Sequence, residues 1–140
     1  MKTSKQVIII RKDLRNTEGQ KIRTGKIIAQ ACHASMKFIL DRGYFYQAEL
    51  DHPELFHSDI AEPCIKSWIE GKFTKVCVSV DSEQELLDIY QQAKDAGLIV
   101  SLITDAGLTE FGGVPTNTCI AIGPSWEDDV NKITGHLKLL

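Results

Sequence analysis

Two stretches of this 140-residue chain carry side chains whose types and spacing could do chemistry. The first is Thr24-Gly25-Lys26-Ile27-Ile28-Ala29-Gln30-Ala31-Cys32-His33-Ala34. Lys26, Gln30, His33 and Lys37 fall at i, i+4, i+7 and i+11, one narrow helix face, with apolar residues opposite. With Thr24 as N-cap, Lys26 stands in the first helical turn. There the helix dipole opposes a cation, while free backbone N–H groups welcome an anion. That conflict points to an anion, or an oxygen developing negative charge, as the partner of Lys26. On pattern alone, a solvated polar face explains the spacing as well.

The second stretch runs from Ile103-Thr104-Asp105-Ala106-Gly107-Leu108-Thr109-Glu110-Phe111 through Gly112-Gly113-Val114-Pro115-Thr116-Asn117-Thr118. It joins two apolar runs, where a rigid scaffold presents a loop. Asp105 ends a strand and could orient or deprotonate a water, with Thr109 or Thr118 positioning it. The three glycines permit close backbone approach. A turn-rich connection with Asp and Thr bonded to their own backbone accounts for the same residues.

Two rival chemistries are weaker. Gly19 to Gly25-Lys26 follows a strand and opens a helix, as a P-loop does, with Asp81 as the matching metal-binding carboxylate. Five residues separate those glycines instead of four, and Ile27 stands where Ser or Thr would hold magnesium. Asp51, His52, His57, Asp59 and Cys64 invite a metal, but their spacing fits no familiar zinc pattern. No metal site is expected, and no Ser-His-Asp or Cys-His arrangement is apparent.

The elements that must position these residues follow from apolar periodicity. Val7–Ile10, Val76–Val80, Leu98–Ile103 and Cys119–Ile122 barely alternate, as strands buried on both faces do. Helical spacing covers 25–40, about 62–70 and 83–96. The third of these starts at a Ser82-x-x-Glu85 capping box and stops at Gly97. A last helix follows Ser125 as cap, with Glu127, Asp128 and Asp129 in its first turn, and ends near Gly135. The order predicts an α/β fold, a single-domain three-layer sandwich with helices on both faces of a four-stranded sheet. The first three strands, joined through helices, could be parallel. Residues 43–61 lack periodicity and read as an irregular excursion with room for a short helix.

Composition sets the outer limits. A length of 140 residues suits one domain, 1–140, with one core. No apolar run approaches the roughly 20 residues that span a bilayer, and Val7–Ile10 is too brief for a signal sequence, so the cytosol is expected. Cys32, Cys64, Cys77 and Cys119 form no C-x-x-C pair and read as reduced, mostly structural thiols. The net charge of −3 hides a split. Residues 1–42 hold ten of the sixteen basic residues and three acids, a net +7, leaving −10 in the rest. A segregated basic segment can make a local positive surface for a polyanion.

Together the motifs resemble a family. Val7-Ile8-Ile9-Ile10-Arg11-Lys12-Asp13-Leu14, Gly25-Lys26-Ile27-Ile28-Ala29-Gln30-x-x-His33-Ala34 and Asp105-Ala106-Gly107-x-Thr109 are similar to those of type 2 peptidyl-tRNA hydrolases. So are Pro115-Thr116-x-Thr118, Ala121-Ile122-Gly123-Pro124 and the ending Ile133–Leu140. The likeness spans nearly the whole chain outside 43–61. It implies a mixed four-stranded sheet flanked by helices, a homodimer, and hydrolysis of the ester between peptide and tRNA without metal or organic cofactor. It carries the active lysine to Lys26, the aspartate to Asp105 and the hydroxyls to Thr109 and Thr118. Gln30, His33 and Thr116 become substrate contacts, and Arg11, Lys12, Arg15, Lys21 and Arg23 are available for phosphates. The chain departs from the pattern in a longer loop before Gly25, in Leu108 where a basic residue is expected, and in one extra residue within 110–118.

Overall fold

The computed structural model describes residues 2–140. In chain order the elements are β1 (Ser4–Arg11), α1 (Thr24–Asp41), β2 (Gly43–Tyr46), β3 (Leu55–Ser58), α2 (Pro63–Glu70), β4 (Lys75–Val80), α3 (Glu83–Asp95), β5 (Val100–Asp105), β6 (Thr116–Trp126), α4 (Glu127–Thr134) and β7 (Lys138–Leu139). The main sheet runs β5-β6-β1-β4-β7. β1 and β4 are parallel, while β6 is antiparallel to both β1 and β5. The three strands expected to be parallel therefore share one direction, with β6 inserted between two of them.

Side-chain alternation along the strands builds two core layers. Val7, Ile9, Ile120 and Ile122 face one side and pack with Leu86, Ile89 and Ala93 of α3 and Val130 and Ile133 of α4. Ile8, Ile10, Cys119 and Ala121 face the other side, against Ile27, Ala31 and Ala34 of α1. Phe38, Ile65 and Trp68 close a third cluster between α1 and α2. Each such aliphatic side chain, fully buried, contributes about 1.5–3 kcal/mol. Double-sided burial is why the strand sequences scarcely alternate.

Five details correct the sequence reading. The sheet has a fifth strand, β7, which pairs antiparallel with β4 through Val78 and Leu139. The 43–61 excursion is not irregular: β2 and β3 form a hairpin with Phe45 opposite Phe56. α4 begins after Trp126 because β6 continues through Ser125, so Ser125 is no cap. α1 begins at Thr24 itself, with Arg23 in the cap position and no side-chain cap. The capping box of α3 is only half formed. Ser82 Oγ accepts from Glu85 N at 3.1 Å, but Glu85 Oε2 reaches Asp81 N at 2.8 Å, one residue early.

The topology fixes where chemistry can occur. β1 and β5 point the same way, so Arg11 and Asp105 end at one edge of the sheet. β6 starts at that edge, with Thr116 opposite Asp105. α1 returns antiparallel to β1, so its first turn lies there too.

Candidate active site

The approach to α1 is a small stapled turn. Leu14 and Ile22 are buried, Arg15 and Lys21 form an isolated bridge, and Asn16 Oδ1 accepts from Glu18 N and Gln20 N, both at 2.9 Å. These internal bonds use N–H groups that a P-loop would turn toward phosphate. The turn delivers the chain to Thr24, and Lys26 follows in the first turn of α1.

Lys26 does not lie on a solvated face. Its Nζ donates to Asp105 Oδ1 at 2.9 Å and to Thr109 Oγ1 at 3.0 Å. The two charged side chains are only 13% and 14% exposed. Gln30, one turn on, donates through Nε2 to the same Asp105 oxygen at 3.3 Å. The other oxygen, Oδ2, accepts from Gly107 N at 2.9 Å. Gly107 has φ +81° and its Cα faces the Val114 backbone so closely that a Cβ would lie 2.2 Å from Val114 O. Only glycine fits that turn, which aims an N–H at the carboxylate.

Burial is the largest single influence on Asp105 and disfavours its charge. The Lys26 hydrogen bond, the Gly107 N–H, the Lys26 charge and Gln30 together outweigh it, so the carboxyl titrates below its ordinary value. The helix-dipole conflict at Lys26 is thus met by a resident anion. What the corner offers is a nearly buried cation and an ionised carboxylate at the mouth of a small hollow. Lys26 leaves one side of its ammonium over the Phe111 ring, 5.7 Å from the centroid.

The other expected site residues divide. Thr109 joins the pair directly and is exposed. Thr118 is 1% exposed and donates to Gln30 Oε1 at 2.7 Å, so it sits a layer behind Lys26 and Asp105. Thr116 Oγ1 donates to Val114 O at 2.8 Å, within the same loop. His33 lies further along α1 on exposed surface, away from this network. Lys12, Arg15 and Lys21 are exposed. Arg23 is 74% exposed but pairs through Nε with Glu110. Arg11 differs from the other basic residues: it grips Asp13 with Nε at 2.9 Å and Nη2 at 2.7 Å and is 11% exposed.

Sequence reasoning gave no part to Phe111, Leu14 or the Gly107 N–H. Phe111 and Leu14 line the hollow with Lys26, Gln30 and Thr118. Their signal is weak, because an aromatic or leucine inside a Gly-rich loop has no periodicity to mark it. The five-residue metal cluster does not assemble as a unit, although Asp51 and His52 do group with Glu49 on exposed surface, their ligand atoms within 4.8 Å of one another. His57 bonds Asp59 at 3.0 Å, His52 pairs with Glu49 at 3.2 Å, and Cys64 Sγ turns to Pro124 O. Asp81 is exposed at the end of β4, away from Lys26. Cys119 lies under Gln30, and burial pushes its thiol up to about 11, so it stays protonated at neutral pH. Cys32 and Cys77, by contrast, are exposed.

Known proteins resemble the chain over its full extent. The family model described as "Peptidyl-tRNA hydrolase PTH2" matches residues 4–140. A protein from Methanothermobacter thermautotrophicus named peptidyl-tRNA hydrolase is 44% identical over 137 residues, covering 97% of this chain and 99% of the relative. Its namesake from Methanocaldococcus jannaschii is 38% identical over 136 residues, with the same coverage. A solved Agrobacterium structure described as a protein of unknown function matches with a TM-score of 0.51 at 15% identity, covering 100% of this chain and 99% of the other. That likeness concerns the fold alone.

Proposed function

The chain belongs to the peptidyl-tRNA hydrolase PTH2 family, and from that premise we propose that Lys26 and Asp105 carry out its ester hydrolysis. As a peptidyl-tRNA hydrolase it cuts the ester between a peptide and the 3′-terminal ribose of tRNA, which recycles the tRNA. The observation that supports our assignment is the 2.9 Å contact of Lys26 Nζ with Asp105 Oδ1, made across 79 residues of sequence beside the small hollow that Lys26 lines.

Attack by water on an ester carbonyl puts negative charge on its oxygen. Lys26, nearly buried at the start of α1, is the cation that stabilises that oxygen. Asp105 stays ionised at neutral pH, holds Lys26 in place and orients the attacking water. Its lowered pKa makes it a weak base, so we assign it orientation and electrostatic support before proton abstraction. Thr109, bonded to Lys26, has its hydroxyl proton free for the water or the substrate. Gln30 and Thr118 are positioning residues, since Thr118 fixes the amide that in turn fixes Asp105. No side-chain nucleophile is needed, and water attacks directly.

Lys12, Arg15 and Lys21 take phosphates of the acceptor end, with Arg23 contributing the share of its charge that Glu110 leaves. Arg11 supports the loop that carries them. Among the described residues no helix is long and apolar enough to cross a membrane. We read the protein as cytoplasmic, where its substrate is made. We also read it as a homodimer: Ile28, Cys32, Met36 and Leu40 form an exposed stripe at four-residue spacing on α1, suited to a second copy.

Release of labelled peptide from an N-blocked aminoacyl-tRNA tests the function. The expected result is turnover that ends with Lys26→Ala or Asp105→Asn in a folded protein. Tight tRNA binding without release would make the chain a non-catalytic RNA-binding module.

A further inference from the structure

The ester that meets Lys26 has two unlike flanks, a polyanionic nucleotide and a peptide. Two depressions adjoin the hollow that Lys26 lines, one through Ile27 and the other through Phe111, and both share Arg11, Leu14 and Arg15 as a dividing wall. They differ in chemistry. The first, about 150 Å³, has an apolar floor of Ile10, Leu14, Ile22 and Ile27 under a rim of Lys12, Arg15 and Lys21. No acid lines it. The second, about 300 Å³, lies between the β1–α1 loop and the β5–β6 loop and is lined by Leu14, Asn16, Thr17, Phe111, Val114 and Thr116. It also contains Arg11 and Asp13, whose charges cancel in their bidentate pair.

We infer that the second cleft is the acyl subsite, which receives the peptide residue joined to the ribose, and that Phe111 and Val114 select its side chain. This rests on the hydrolase reading of the Lys26–Asp105 corner. The phosphates go to the groove that is positive and free of acids, because a polyanion gains most there. The peptide is left with the less positive cleft, where Arg15 on the shared wall is the one charge Asp13 does not offset, and whose volume lies at the lower end of the range for small-ligand pockets, roughly 300–1,000 Å³. Phe111 connects this cleft to the chemistry, since the same ring borders the hollow beneath Lys26 and lies 5.7 Å from its ammonium. A carbonyl at Lys26 therefore has the ring against one of its substituents. Val114 is 60% exposed and forms the outer wall. The two loops that form the cleft pack together: a Cβ on Gly112 would lie 3.0 Å from Thr17 Cγ2.

The test is a ranking of acyl groups. The full-length protein and its variants are assayed on N-acetyl-aminoacyl-tRNAs carrying glycine, leucine, lysine or glutamate at the ester. Phe111→Ala should lose about fivefold or more in kcat/KM on leucine relative to glycine, with the salt dependence of tRNA binding unchanged. Val114→Glu keeps the backbone bonds of that turn and should raise the lysine-to-glutamate ratio by about threefold or more. Because Val114 is exposed, this variant tests the cleft even if Phe111→Ala fails to fold. Equal losses on every acyl group, or a Val114→Glu ratio that does not move, would overturn the acyl subsite. A parent enzyme that releases none of the four acyl groups would instead overturn the hydrolase reading on which the subsite depends.

Discussion

The chain holds two cation–carboxylate pairs whose cations are both nearly buried, and they are built for opposite purposes. Arg11 and Asp13 are two residues apart, and the guanidinium fork meets both carboxylate oxygens at 2.7–2.9 Å. The Arg11 hydrogen bond is the main reason Asp13 titrates below its ordinary value. That pair is closed: planar and bidentate, with the remaining Arg11 nitrogen donating to Asn117 O at 2.8 Å and lying 3.4 Å from a second carboxylate, Glu83. Lys26 and Asp105 come from different elements and meet through a single ammonium group that Thr109 also engages, at a carboxylate that Gln30 shares. Lysine is a point charge with rotatable donors, so it can transfer a bond from Asp105 to a new oxygen without unmaking a fork. A closed pair braces a loop, and an open pair can work. Burial of the cation does not separate them, but valency and sequence distance do.

The sharpest break of this comparison is at the open pair. Lys26→Ala should fold and lose about 10²-fold or more in kcat/KM, in line with removal of an oxyanion donor. Asp105→Asn should lose at least about tenfold, roughly 1.4 kcal/mol of transition-state stabilisation. Near-parental turnover in either folded variant would remove that residue from the mechanism. Arg11→Ala should do the reverse. Denaturant unfolding should show a stability loss of about 1–3 kcal/mol, because Asp13 is left without its partner, while the fall in kcat per folded molecule stays well below that of Lys26→Ala. A stable Arg11→Ala that no longer turns over would mean the braced pair also works.

Thr118→Val probes the layer behind. It should lower kcat about three- to tenfold with little change in KM, since Gln30 then loses its anchor but phosphate binding remains. Replacing Arg15, Lys21 and Arg23 by Ala should instead raise KM and flatten the salt dependence of tRNA binding. Every phosphate that goes unneutralised takes roughly 0.7–0.9 off the log–log slope. A slope unchanged in the triple variant would leave the basic segment a solvated surface. The pH response is the smallest effect. Both aspartates have depressed folded-state values, so each stabilises the fold above the ordinary carboxylate value of about 3.9. That contribution is lost only as pH falls through the lower folded-state value. Between pH 5 and 8 neither should titrate, and kcat/KM should show no carboxylate limb there. A limb near pH 5–6 that disappears in Asp105→Asn would show Asp105 acting as a base with a raised pKa.

Much of the frame is legible in the residues alone. The four long strands and the α1, α2 and α3 ranges follow from apolar runs and helical spacing, because burial on two faces or one leaves a strong pattern. β7 is two residues long, too short to carry any period. The β2–β3 hairpin hides because its loop, 47–54, has no Asn-Gly or Asp-Gly turn, and its aromatic strands are exposed, so neither face alternates. At the site, Lys26 is marked by its conflict with the helix dipole, and Asp105 by its place at a strand end. Their meeting is not legible from spacing, since it depends on β6 inserting between β1 and β5. Nor is the depth of Thr118, which follows from the inward side of β6, or the binding of Arg11 by Asp13, which any basic residue two positions from an acid could mimic.

One measurement bears most directly on the claim that Lys26 and Asp105 act as a single device: a double-mutant cycle on peptidyl-tRNA hydrolysis. Residues that work as a unit are grossly non-additive, so Lys26→Ala combined with Asp105→Asn should lose no more than about threefold beyond the worse single variant. Losses that multiply, with each folded variant failing independently of the other, would contradict the shared role and leave the 2.9 Å contact a structural salt bridge.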